Sequence, residues 1–226
     1  MTNELTGRVE APHTHRVVER VERHIKAFIG TSIACGIARY YYARLSTVPA
    51  VTIEDSAEKL HLDAAVGALA AGAVFGVPED LDEVKTKRAK TKGLADALTP
   101  TMTRIAYVIT SAEVRAASLR SAAILFADAV ATTDLGRSVA FSLMALESIL
   151  LERSNTDTIL ARLREAVAYR LGRSPEERAD LRKQVGRLYD YRSSFVHTGQ
   201  VSVPVAEQRA GLELVRIALK REINDL

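Results

Sequence analysis

The stretch SPEERADLRKQVGRLYDYRSSFVHTG, Ser174 to Gly199, carries the strongest local folding signal in the chain. Ser174 is suited to cap a helix. Pro175 fits the first helical position, where its missing N–H costs nothing, and Glu177 completes a capping box three residues after the serine. Leu181, Val185, Leu188, Phe195 and Val196 then read as the inward face, and Gly199 ends the helix after Thr198.

Helical signals continue on both sides of this segment. Upstream, a helix runs from about Asp157 to Leu171 and is closed by Gly172. Before it, Asp134 caps a helix through Arg153 whose buried stripe is Val139, Leu143, Leu146, Ile149 and Leu150. Ala112–Ala131 is apolar at helical spacing, and downstream a last helix runs from Val205 to about Ile223. Five helices with short connections predict an antiparallel bundle over residues 101–226.

Residues 1–100 read as a mostly helical region of unassigned role. The spacing of Val18, Val21, Ile25, Phe28, Ile29, Ile33, Ile37, Tyr40 and Tyr41 predicts one long helix from Arg16 to Leu45, broken by Pro49 and a short VTI run. Ala64–Val77 predicts a buried helix; its 14 residues fall short of the roughly 20 that span a membrane. Pro78–Glu83 and the basic run Lys85–Lys92 together form a zwitterionic linker. A turn is expected near Pro100, and Ile105, Tyr107 and Ile109 alternate, so Arg104–Thr110 is either a short strand or the lead-in to a helix. The fold class is all-α.

Composition agrees with this reading. In 226 residues there is no tryptophan, aromatics make up 5%, and 47% are hydrophobic, enough for a sizeable core but poor material for a strand-rich sandwich. The single cysteine, Cys35, excludes an intrachain disulfide and a Cys-rich zinc site and suits a reducing, cytoplasmic setting. MTNELTGRVEAPHTHR lacks the apolar core of a secretory signal. No phosphate-binding glycine loop follows a strand, so no nucleotide cofactor is expected, and His13-x-His15 lacks the further ligands of a metal site.

Net charge is only +3, but nine basic residues face five acidic ones between Ala161 and Gln200. Such an arginine excess suits phosphate contact and equally suits a solvated helix face. At the end of this segment stand Arg192 and His197. Spacing alone says little, since 23 arginines and five histidines supply about 0.5 such pairs by chance, and Arg8 and His13 repeat the spacing in a proline-containing tail. On a bare helix, His197 would simply favour the dipole, and Arg192 would pair with Asp190 or a neighbouring helix.

Context adds more. Tyr191-Arg192-Ser193 followed by Val196-His197 and Gly199, the preceding Leu188-Tyr189, AVAYRLG at Ala166–Gly172 and MALESILL at Met144–Leu151 occur in order along successive helices. In this respect the segment from about Ala112 to Leu226 resembles the Apea-like members of the HEPN superfamily, helical bundles many of which are metal-independent endoribonucleases. One departure is local: the family's usual His-Gly is His197-Thr198-Gly199 here.

The resemblance implies that Arg192 and His197 form an active pair beside a polar residue, Ser193, in a homodimer whose two motifs face each other. It also implies a toxin or antiviral-defence effector, held by an antitoxin or regulatory protein, with RNA as substrate. A histidine can take the proton of a 2'-hydroxyl near neutrality, and an arginine can neutralise the phosphorane without a metal. Asp190 or Ser193 is placed to orient the imidazole, Tyr189 packs with a polar tip, and Arg187 and Lys183 are candidate RNA contacts. Glu147 in MALESILL reads as a structural anchor for an arginine inside the bundle. The alternative is a catalytically silent module of the same fold that binds RNA or a protein partner.

Overall fold

In the computed structural model, the described residues are 14–40, 50–52, 59–61, 64–75, 94–151 and 159–226. Among them the chain forms α1 (Thr14–Ala34), β1 (Ala38–Tyr40), β2 (Ala50–Thr52), β3 (Lys59–His61), α2 (Ala64–Gly72), β4 (Ala73–Phe75), α3 (Leu94–Thr110), α4 (Val114–Ala131), α5 (Leu135–Leu150), α6 (Ile159–Leu171), α7 (Pro175–Thr198) and α8 (Val205–Asn224). The fold is all-α. Its only strands among these residues are two short antiparallel pairs, β1 with β4 and β2 with β3.

α7 forms as its sequence requires. The Ser174 hydroxyl accepts from the Glu177 N–H at 3.2 Å, which satisfies one of the helix's orphan donors, and the Glu177 carboxylate accepts at 2.7 Å from the N–H of Arg173, the residue before the cap. At the far end Gly199 adopts φ 70°, a left-handed conformation that glycine enters without steric penalty, and donates to the Phe195 carbonyl at 2.8 Å. Asp134 likewise caps α5, accepting from the Arg137 N–H at 3.0 Å.

Helix faces supply the core. Leu119, Phe126, Val139, Leu143, Leu146, Leu163, Val167, Val185, Leu188, Val215 and Leu219 are buried in one cluster, which also takes in Ala34, Cys35 and Ile37 from the end of α1. α1 approaches α4 so closely at Gly30 that a Cβ there would run into the Ala123 carbonyl. Arg120 of α4 lies within hydrogen-bonding distance of the Val108, Ile109 and Ser111 carbonyls, at 3.0, 2.8 and 3.0 Å, and so serves the acceptors that the end of α3 leaves open.

Four expectations from the sequence need correction. The first helix ends at Ala34 rather than continuing to Leu45, because Gly36 takes φ 77° and Ile37 and Gly36 donate back to the Ser32 and Ile33 carbonyls at 2.8 and 3.1 Å, a Schellman stop. Positions 41–45 lie outside the described residues. The apolar run from Ala64 is helical only to Gly72, and Ala73–Phe75 pairs with β1 instead. Pro100 sits within α3, where it costs one hydrogen bond to the carbonyl of residue 96 near the helix start. Of the two readings left open for Arg104–Thr110 the helical one holds, with Ile105 and Val108, three residues apart and both buried, on one face of α3. Finally, α5 ends at Leu150, short of Arg153. The 85–92 linker and His13 also fall outside the described residues.

Candidate functional site

The last three turns of α7 carry the candidate pair. Arg192 is half-buried, and its guanidinium lies 5.4 Å from the Tyr189 ring centroid. One of its nitrogens also donates to the Tyr189 hydroxyl at 3.4 Å, so a side chain one turn back braces the cation through ring and oxygen together. His197 is exposed in the last turn, where the carbonyl end of the helix dipole faces it. The helix stays regular through Thr198, so the five-residue offset turns the two side chains about 140° apart, and a single copy does not bring them onto one face.

The other sequence-stated candidates are distributed around this end. Asp190 is exposed and Ser193 half-buried; neither hydrogen-bonds to His197. Thr198, which stands between His197 and Gly199, donates to the Ser194 carbonyl at 2.7 Å and accepts from the Gln200 N–H at 3.2 Å, which builds it into the helix stop. Phe195 packs over Gly136 of α5, but Val196 is 63% exposed, contrary to the inward face expected for it. An apolar residue is thereby left in the open directly beside His197.

The basic segment is less free than its charge count suggests. Arg182 binds Glu165 through two hydrogen bonds of 2.7 Å, and the Arg164 guanidinium lies against Gly186. Arg170 pairs with Glu222 at 2.9 Å, and Arg178 stands over the Tyr169 ring at 5.1 Å. The two candidate RNA contacts also have partners. Arg187 donates to Glu207 at 3.0 Å and Lys183 lies 3.4 Å from Asp180. Arg192 differs from most of these cations in having no carboxylate within ion-pairing distance.

A carboxylate does stand within its electrostatic reach. Glu147 of α5 is half-buried, one of its oxygens is shielded from solvent without a hydrogen-bond partner, and Arg192 is the charged side chain that acts on it. Burial raises the Glu147 carboxyl above the usual carboxylate range, and the Arg192 charge only partly offsets this. Sequence reading marked Glu147 as an anchor but did not identify its arginine. The one signal available was a carboxylate set between the buried residues Leu146 and Ile149.

Other chemistry is less well supported. Burial pushes the Cys35 thiol up to about 11 despite the opposing charges of Lys220 and Arg104, so it is no ready nucleophile at neutral pH. Among the described residues there is no cluster of three or more potential metal ligands and no helix long and apolar enough to cross a membrane. Comparison with protein-family models, with curated proteins and with solved structures finds no match to this chain.

Proposed function

We propose that the chain is a metal-independent endoribonuclease of the HEPN type, acting as a homodimer through Arg192 and His197. The observation that carries this reading is the end of α7: an arginine braced by Tyr189 and free of a direct ion pair, followed by an exposed histidine just before a left-handed glycine cap. In the reaction, His197 takes the proton from a ribose 2'-hydroxyl and O2' bonds to the phosphorus. Arg192 neutralises the charge on the phosphorane. The P–O5' bond then breaks and the leaving oxygen takes up a proton, giving a 2',3'-cyclic phosphate and a 5'-hydroxyl. DNA has no 2'-hydroxyl and is not a substrate. Because one helix turns the two side chains apart, the site is completed when two copies bring their α7 ends together. The toxin or defence role and a restraining antitoxin belong to the same proposal.

The test is incubation of purified protein with single-stranded RNA in excess EDTA, beside His197→Ala and with solution mass measured in parallel. Cleavage that persists in EDTA and disappears in the variant supports the enzyme; a strict monomer counts against a site shared between copies. A second reading, a silent module that binds RNA or a protein partner, draws on the pairing of Arg187 and Lys183 with acids and on the exposure of Val196. RNA retention without cleavage would favour it.

A further inference from the structure

Four arginines gather where α4 begins and α6 and α8 end. Arg115, in the first turn of α4, and Arg170, in the last turn of α6, each take one oxygen of the buried Glu222 carboxylate, and Arg115 also donates to the Ile149 carbonyl at 3.0 Å. Arg221 of α8 donates to the Arg170 carbonyl, and Arg178 of α7 donates to the Gly172 carbonyl at 3.3 Å. Glu222 thus answers two of the four. Arg178 and Arg221 have no carboxylate within ion-pairing distance among the described residues, and each spends one N–H of a guanidinium's five on a backbone oxygen. Burial and then the Arg170 charge lower the Arg115 pKa, with Asp225 acting the other way, so the fold holds these cations together against their repulsion. Two more features share the corner. α4 starts at Glu113 without a side-chain cap, so its leading N–H groups add positive potential. Tyr169, one residue before Arg170, is 67% exposed although Arg178 stands over its ring at 5.1 Å.

We propose that this corner, formed by Arg115, Arg170, Arg178 and Arg221 with Tyr169, is a binding surface for single-stranded RNA, separate from the Arg192 and His197 end of α7. The choice of RNA rests on the ribonuclease reading. Guanidinium forks match the oxygens of backbone phosphates, and a tyrosine ring braced by a cation yet open to solvent offers an unpaired base a face to stack on. The contacts to Glu222 and to the Ile149, Arg170 and Gly172 carbonyls fix the arginines in advance, so less side-chain freedom is lost when RNA binds. Arg178 and Arg192 lie on one helix 14 residues apart, about 21 Å at 1.5 Å per residue, so one strand of several nucleotides can reach both.

The test measures binding of fluorescein-labelled single-stranded RNA by anisotropy, with full-length protein in a His197→Ala background where no cleavage competes. Arg178→Gln and Arg221→Gln should each raise Kd about 3- to 10-fold and lower the slope of log affinity against log salt by about one, as loss of a phosphate contact does. Tyr169→Ala should raise Kd about 5-fold or more with the slope unchanged, as loss of a stacked base does. Arg23→Gln, which changes an exposed arginine of α1, should do neither. With His197 restored, the same three corner substitutions should raise KM and leave kcat unchanged. No RNA binding at all, or unchanged Kd in both arginine variants, overturns the proposal. So does an equal loss in Arg23→Gln, or loss of binding to anionic vesicles or an acidic peptide with RNA affinity intact. Should the corner variants lose RNA while wild type never cleaves it, the ribonuclease reading falls and this surface stands. Should wild type cleave RNA with KM untouched by the variants, that reading stands and this surface falls.

Discussion

Two glutamates in this molecule, Glu222 buried and Glu147 half-buried, feel the charge of arginines, and the fold treats them differently. Glu222 of α8, with 4% of its side chain exposed, gives one oxygen to Arg115 and the other to Arg170, which ties α4, α6 and α8 together at one end of the bundle. Glu147 of α5 has a shielded oxygen with no partner and an arginine close enough to feel its charge but not to bond it. Glu222 is therefore explained by the fold it holds, whereas the shielded Glu147 oxygen costs the fold stability without a hydrogen bond to offset it. Within one bundle, two carboxylates shielded by burial differ in whether their charge is answered by a direct partner.

The contrast can be broken at several points. The largest effect belongs to the site: His197→Ala should lower RNA cleavage by about 10²- to 10⁴-fold, read by product formation in EDTA, while the urea midpoint stays near wild type. Next comes Glu222→Ala, which strands two arginines and should cost about 3–5 kcal/mol in urea unfolding without changing cleavage per folded molecule. If Glu222→Ala unfolded no more easily than wild type, the assignment of satisfied charge to architecture would fail. Gly199→Ala forces a side chain into the left-handed cap and should cost about 1–2 kcal/mol in the same measurement.

The smallest effect has the most informative sign. The folded Glu147 carboxyl holds its proton more tightly than the unfolded chain does. Its contribution to stability is thus present below the ordinary carboxylate pKa and is lost as pH rises through the raised folded value. Glu147→Gln removes that loss, so its stability relative to wild type should increase from about pH 4 to pH 8 in a series of urea titrations. A difference that stays constant or shrinks with rising pH would place Glu147 in the same class as Glu222.

Much of the fold was legible because it depends on near neighbours. Ser174, Pro175 and Glu177 act within one turn, Asp134 and Arg137 are three residues apart, and Gly199 answers to Phe195. The places that misled show a different cause. Continuous apolar periodicity hid the Schellman stop at Gly36, although the glycine itself was visible. Ala73–Phe75 became a strand because β1 was available to pair with it, a choice that no local preference dictates. Val196 was expected inside from its apolar character alone, and one residue of rotation placed it in solvent.

By itself, then, the sequence determined the beginning and end of α7, the five-residue offset between Arg192 and His197, and the all-α class. Each follows from hydrogen bonds and side-chain spacing within a few residues. Only the tertiary structure decided which cations remain available, because their partners come from other helices: Glu165 for Arg182, Glu207 for Arg187, Glu222 for Arg170. It also decided that burial raises the Glu147 carboxyl while the Arg192 charge partly offsets the rise. Charge counts along a chain record how many groups there are, whereas the free energy of each depends on what stands a few ångströms away after helices distant in sequence have packed.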